Sequence, residues 1–235
     1  MSSTTPPHID QPIEPAAAAQ GGTQHGAGAH SDGGWDAPDK KVPVQTRSER
    51  FQSGDVEAFP KVTGREVNWK FAPLAKLQPL LDGALDGSAY PYLARQSEGA
   101  DVEWGRSDDP RVGGAGLPED RAAAAAWSAR DAVLAITVKG TDEHEFITVT
   151  RSDFGSQPRA AHTVITAEPH AQGIVVIDNR GTALLSENVE VVVRDGARLT
   201  VVTVQDWDDN AVHVSTHFAE VGRDAFLKHL SLIHI

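Results

Sequence analysis

The pattern of hydrophobic positions changes near residue 131. Beyond it, short segments rich in Val, Ile and Thr follow one another, often with turn residues between them and with no helix of useful length. The segments are AVLAITV, EFITVT, AHTVITAE, GIVVIDN, ALLSENVEVVVRDG, RLTVVTVQDW, AVHVSTHFAEV and DAFLKHL. Because a parallel α/β sheet needs helices between its strands, the pattern predicts a mainly β structure instead.

Two features of these segments favour a coil of stacked strands. The segments VVVRDGARLTVV and AEVGRDAFLKHL resemble each other, with Ala197 and Leu199 aligned to Ala225 and Leu227 at a spacing of 28 residues. Repeats of this length are typical of solenoids. Strands such as LTVVTV are also apolar on both faces, which suits rungs that line a core and pack against a neighbouring layer. The sequence therefore predicts a parallel β-helix, with a β-sandwich as the alternative.

Residues 48–130 are predicted to form a small helical region with loops. The TGRE motif (Thr63–Glu66) has the spacing of a capping box and predicts a helix that ends just before Pro73. A second helix is expected to begin at Pro73 and to be kinked or broken at Pro79. The run LPEDRAAAAAWSAR predicts a third helix over about residues 119–130, because acidic residues precede a run of strong helix formers.

Composition narrows the functional classes. The first 47 residues are rich in Pro, Ala, Gly, Ser and Gln and are predicted to form a disordered tail. The formal charge of −12 argues against nucleic acid and anionic membranes as partners. The chain contains no Cys, which excludes thiolate catalysis, disulfides and cysteine metal sites within it. Without a signal-peptide pattern or an apolar run of about 20 residues, a cytoplasmic protein is expected.

Three stretches together resemble the SufB/SufD family of iron–sulfur cluster assembly proteins, and its SufD branch in particular. They are GREVNWKFAPLAKL (Gly64–Leu77), LPEDRAAAAAW (Leu117–Trp127) and the long segment Val189–His229. The resemblance implies a helical N-terminal region followed by a right-handed parallel β-helix, of which residues 131–229 would be the first rungs.

The same resemblance implies a role. Members similar to SufD are non-enzymatic scaffold subunits that pair with a SufB-like paralogue and bind a SufC-like ATPase through a C-terminal region. The iron–sulfur cluster would be assembled transiently by the full complex, so no resident cofactor and no catalytic residue are expected in this chain. The closing residues LSLIHI (230–235) match the translation of a sequencing-adaptor end. We therefore expect residues 230–235 to be non-native and the natural protein to continue beyond His229, the alternative being a genuine apolar strand.

Gln205 and Trp207 are candidate cofactor-path residues. They match a Gln-x-Trp pattern that, in the SufB-like paralogue, the resemblance associates with a polar path through the β-helix. The alternative is that Gln205 forms hydrogen bonds between rungs while Trp207 packs on the outer surface.

His213 and His217 are candidate metal ligands. They alternate with Ser215 along one face of a predicted strand, and Glu220 lies close by in the sequence. Imidazole and carboxylate ligands of this kind bind Zn²⁺ or Fe²⁺, so a metal-dependent, cupin-like β-barrel enzyme is an alternative function. A hydrogen-bonded surface pair is the simpler interpretation of the two histidines, and a plain β-solenoid binding module is a third possible function.

Overall fold

The structure is a computed structural model that describes residues 50–141 and 145–233. The elements below all lie within residues 52–235. The predicted tail falls outside the described residues, as do the last two residues of the LSLIHI segment.

Strands dominate the described part of the chain. The helices are a short 3-10 helix (Val56–Ala58), α1 (Leu74–Asp82) and α2 (Arg121–Ala129). The strands are β1 (Leu93–Gln96), β2 (Ala100–Arg106), β3 (Ala132–Val138), β4 (Phe146–Arg151), β5 (Pro158–Ala167), β6 (Gln172–Gly181), β7 (Leu184–Val193), β8 (Arg198–Trp207), β9 (Val212–Val221) and β10 (Phe226–Ile233).

From β3 onward the chain winds as a parallel coil with two strands in each turn. Strands β3, β5, β7 and β9 pair in that order in one sheet, and β4, β6, β8 and β10 pair in the other. The predicted 28-residue repeat is seen directly, because Leu227 pairs with Leu199 on the strand one turn earlier. The parallel β-helix is confirmed. A sandwich or barrel is excluded because neighbours within each sheet are parallel strands from successive turns.

The smaller repeating unit is a half turn. Ala183, Ala197, Ala211 and Ala225 each lie immediately before a strand, at intervals of 14 residues. The turns close tightly, since the backbone N–H of Ala197 donates to the carbonyl of Arg194 at 3.0 Å and Ala211 and Ala225 make the equivalent bond. Ala183 and Ala197 are buried. A small side chain is therefore needed where the coil bends from one sheet into the other.

Two antiparallel strands close the first turn of the coil. Strand β2 pairs with β3, and β1 pairs with β4, both antiparallel to the strands they cover. The rings of Trp104 and Phe154 pack on Tyr90 with centroid separations of 4.8 and 4.6 Å. This pair of strands, called the N-terminal cap below, satisfies the backbone edges that the first turn would otherwise leave unpaired.

Helix α2 covers the outer face of the sheet that contains β5 and β7. It begins after Asp120, whose side chain accepts a hydrogen bond from the N–H of Ala123 at 2.9 Å and so caps the helix. Ala122–Ala126 of the helix are buried. Ser186 and Asn188 on β7 donate to the carbonyls of Ala122 and Ala123. The third predicted helix is confirmed, and its alanines allow this close approach.

The other two helical predictions differ from the structure. Helix α1 starts directly after Pro73, as expected, but runs through Pro79 to Asp82 without a break. The helix predicted from the TGRE motif is wrong. Glu66 does accept a hydrogen bond from the N–H of Thr63, but it also binds the N–H of Gly64, which has a φ of 83°. The carboxylate therefore closes a turn around a left-handed glycine, and no regular helix starts there.

The hydrophobic core lies between the two sheets. Leu134, Ile165 and Leu185 from one sheet meet Val175 and Leu199 from the other, and all are fully buried. Each such side chain contributes about 1.5–3 kcal/mol by leaving water. None of the helices in the described ranges is long and apolar enough to cross a membrane.

Candidate functional site

A row of polar side chains replaces the apolar core at one end of the strands. Arg151, Asn179 and Gln205 occupy the same register position on β4, β6 and β8. Nε of Arg151 donates to Oδ1 of Asn179 at 2.8 Å, and Nδ2 of Asn179 donates to Oε1 of Gln205 at 3.1 Å. The indole N–H of Trp207 donates to the same oxygen of Gln205 at 2.7 Å. These four residues, called the polar ladder below, link three successive turns.

Trp207 does not lie on the outer surface, where the simpler interpretation put it. Its ring packs against the hydrophobic core and stands edge-on to Phe154, with centroids 5.9 Å apart. Gln205 does bond between rungs, to Asn179 on the previous turn. The Gln-x-Trp pair therefore faces the interior of the coil.

A buried ion pair anchors the ladder. The guanidinium of Arg151 binds both carboxylate oxygens of Glu187 on β7, with Nη2 to Oε2 at 3.0 Å, and Nη1 also donates to the hydroxyl of Tyr90 at 3.0 Å. Both charged side chains are almost fully buried. Burial would raise the pKa of Glu187, but the Arg151 charge and a hydrogen bond from His213 outweigh it and hold that pKa well below its ordinary value. The carboxylate of Glu187 is therefore ionised, and the positive charge of Arg151 compensates its negative charge.

His213 extends this network to the next turn. Its Nε2 lies 3.1 Å from Oε2 of Glu187, and its side chain is only 9% exposed. Its ring stands 5.3 Å from that of Trp207. His213 is thus an interior residue whose ring is oriented by a buried carboxylate.

A cleft of about 590 Å³ lies between β8, β9 and β10, in the last turn of the coil that the structure describes. It is lined by Gln205, Trp207, His213, His217 and His229, together with Ala211, Ser215, Ser231 and Ile233. The rings of His217 and His229 face each other with centroids 4.8 Å apart and planes inclined by 41°. Burial lowers the pKa of His217 to about 4, and partial burial also lowers the pKa of the more exposed His229. Both imidazoles are therefore neutral at pH 7.

Comparison with known proteins identifies the protein family to which this coil is related. The sequence model described as "SUF system FeS cluster assembly, SufBD core domain" matches residues 148–233. An iron–sulfur cluster assembly SufBD family protein of Mycobacterium tuberculosis is 39% identical over 194 residues, which cover 81% of this chain and 49% of the relative. The chain belongs to the SufBD family.

Similar SufBD family proteins occur in other mycobacteria. The one from Mycobacterium bovis is 38% identical over 194 residues, covering 81% of this chain and 49% of its own length. The one from Mycobacterium leprae is 38% identical over 188 residues, covering 77% and 47%. The chain therefore spans about half the length of the curated relatives it matches. No solved structure gives a significant match.

The polar ladder and the cleft both lie within the SufBD core region. That region begins inside β4 and includes Arg151, Glu187, Gln205, His213 and His229. The cap, α1 and α2 precede it.

The cupin-like alternative does not fit this SufBD coil. Its three predicted ligands do not converge, because side chains alternate along β9 and Glu220 lies on the opposite face from His213 and His217. The two histidines are also four residues apart on one strand, about 13 Å, which is too far for one ion. Within the described ranges, no group of three or more His, Asp or Glu side chains is arranged to hold a metal ion. The coiled topology therefore excludes the barrel that this alternative requires.

A second buried carboxylate in the SufBD core has a structural role. Glu190 on β7 points to the outer face, where Nε2 of His162 lies 2.8 Å from its Oε1. It also accepts hydrogen bonds from the N–H groups of Gly113 and Ala115 at 2.9 and 3.1 Å. It therefore fastens the loop before α2 to the sheet. The signal for both buried acids was present in SENVEVVV, since a charged residue in an apolar strand needs a buried partner.

Proposed function

We propose that this SufBD chain is a SufD-like, non-enzymatic scaffold subunit of an iron–sulfur cluster assembly complex. It would pair with a SufB-like paralogue, and the complete protein would bind a SufC-like ATPase. The cluster is cargo of the whole complex, and ATP hydrolysis belongs to the partner. The cytoplasm is the proposed compartment, and the charge of −12 makes nucleic acid and anionic membrane unsuitable partners.

The observation that carries the proposal is the filled interior of the coil. Apolar side chains occupy the space between the sheets through the first turns, and the one buried cation on the ladder, Arg151, is bound by Glu187 and Tyr90. A general acid or base needs a pKa near the working pH, whereas the pKa of Glu187 is held well below its ordinary value. The arrangement therefore favours a rigid scaffold with a defined surface over an enzyme that turns over a substrate.

The SufD-like assignment has separate support. The Gln-x-Trp pair lies in the interior, but the 235 residues contain no Cys. Thiolate ligands for a cluster would therefore come from outside these 235 residues. Pairing with a SufB-like paralogue would supply them.

Co-purification tests this function. The complete protein, tagged and co-expressed with the SufB-like and SufC-like proteins of its own genome, should elute with both in one complex from a size-exclusion column. ATP hydrolysis should require the SufC-like subunit and should be absent from this protein alone. Elution of the tagged protein without either partner, under conditions in which those two bind each other, would contradict the proposal.

A further inference from the structure

The segment before helix α1 carries two large apolar side chains that the described residues leave uncovered. Val67 and Phe71 are 93% and 91% exposed, and they flank Trp69, which packs against the apolar cluster of α1 and α2. The N–H of Trp69 donates to the carbonyl of Glu66, and that of Ala72 to the carbonyl of Trp69, both at 3.0 Å. Residues two apart in such helical turns point to nearly opposite sides. Val67 and Phe71 therefore project away from the side on which the segment packs.

The same segment is basic. Residues 61–76, called the basic segment below, carry four exposed cationic side chains: Lys61, Arg65, Lys70 and Lys76. Among the described residues, none of the four forms an ion pair, and Nζ of Lys70 lies 5.4 Å from the centre of the Phe71 ring. The one acidic side chain in this stretch, Glu66, turns back to accept hydrogen bonds from the N–H groups of Thr63 and Gly64. The basic segment thus has an excess of positive charge in a chain whose formal charge is −12.

These charges select the kind of partner. Apolar side chains of a bound peptide could contact Val67 and Phe71 while its carboxylates pair with the lysines and the arginine. Nucleic acid and anionic membrane extend over the whole protein surface, where the net charge of −12 repels them. A short acidic segment needs only the local charge, because screening limits its interactions to about 8 Å at physiological ionic strength.

We propose that the basic segment binds an acidic segment of another protein, in which carboxylates alternate with apolar side chains. Contact with Val67 and Phe71 supplies the hydrophobic part of the binding free energy. Single exposed ion pairs are weak, so the four cations act mainly by steering and orienting the acidic segment. The proposal does not depend on the scaffold function.

The first test is a fluorescence anisotropy titration of the complete protein with a labelled synthetic peptide that repeats the sequence Glu-Leu-Asp-Phe. This peptide should bind, more weakly as salt is added, whereas a peptide with Lys in place of each acid should not. Lys70→Glu and Phe71→Ser should each weaken binding about fivefold or more. The matched control is Arg95→Glu, which makes the same change of charge at an exposed position of β1. This control should bind the peptide as the wild type does.

The second test asks whether the basic segment is free in the complete protein. In hydroxyl-radical footprinting, Phe71 should be oxidised readily in the protein alone and should be protected when the acidic peptide is added. Protection of Phe71 in the protein alone would overturn the proposal, because the protein's own chain would then cover this surface. So would failure of the wild type to bind the acidic peptide, equal binding by wild type, Lys70→Glu and Phe71→Ser, or binding to phosphatidylserine vesicles in preference to the peptide. Circular dichroism confirms that each variant is folded.

Discussion

Glu187 is an acidic side chain in the middle of an apolar strand, and its partners explain why it is tolerated. It receives two hydrogen bonds from Arg151, one from Thr163 and one from His213, which come from three other strands. A buried charge without such partners costs several kcal/mol. The pair therefore holds neighbouring turns in one register, since a slipped register would leave both charges unpaired.

Removing one partner of this pair should be costly. Glu187→Leu should lower the free energy of unfolding by about 3–5 kcal/mol, because it leaves Arg151 charged and buried. The double variant Arg151→Met/Glu187→Leu should recover much of that loss. Urea denaturation gives all three values. Glu98→Leu, at an exposed position, is the control and should change stability by less than about 0.5 kcal/mol. Additive effects of the two substitutions would contradict the role of the pair.

Single residues were only partly predictable at this site. Alternation along one strand correctly placed His213, Ser215 and His217 on a common face. It did not identify Arg151 as the partner of Glu187, because the two are 36 residues apart and meet only when the turns stack. His229 was missed for the same reason, although the spacing of His229 and Ser231 repeats that of His213 and Ser215.

At the level of the element, α2 shows how composition sets a packing distance. Its alanines lie against β5 and β7, and Ser186 and Asn188 on β7 reach the helix carbonyls at 3.0 and 2.9 Å. A longer side chain at the contact would separate these groups. Ala is also the best helix former, so one residue type satisfies both the local and the tertiary requirement.

Enlarging one of these alanines should therefore destabilise the protein. Ala124 is fully buried, and Ala124→Leu should lower the free energy of unfolding by about 1–3 kcal/mol through overpacking. The same substitution at the exposed Ala75 of α1 should have almost no effect. Thermal and urea unfolding of the two variants make the comparison. Equal stability of the two would show that α2 is not closely packed on the sheet.

The regular elements were the most predictable part of the fold. The segments AVLAITV and RLTVVTVQDW coincide with β3 and β8, because β-branched runs between turn residues leave few alternatives. The TGRE motif gave a wrong prediction because Gly64 adopts a left-handed conformation. Glu66 therefore closes a turn instead of capping a helix. Pro79 did not end α1, and Ala75, whose carbonyl receives no hydrogen bond from Pro79, is an exposed residue.

At the level of the whole molecule, the N-terminal cap closes one end of the coil. Strands β1 and β2 cover the first turn with reversed direction, and the Tyr90, Trp104 and Phe154 rings hold them over the core. The sequence did not reveal this cap. Antiparallel pairing to a strand about 30 residues away leaves no local signature.

Loosening the cap should promote association. Trp104→Ala should destabilise the protein by about 3 kcal/mol and should expose the backbone edges of β3 and β4, so that oligomers increase with concentration in sedimentation velocity experiments. Ala124→Leu, destabilised but with its cap intact, is the control and should stay at the wild-type sedimentation coefficient. If both variants associate equally, loss of stability alone is the cause.

The half-turn repeat of 14 residues makes the coil a molecular ruler. Strands in a sheet are about 4.8 Å apart, so each turn of about 28 residues advances the axis by that fixed step while leaving the cross-section unchanged. Because the capped end accepts no further strand, further turns can be added only at the other end of the coil. An insertion or deletion of one whole turn would shift every later residue by one step, whereas a change of any other length would rotate it out of place.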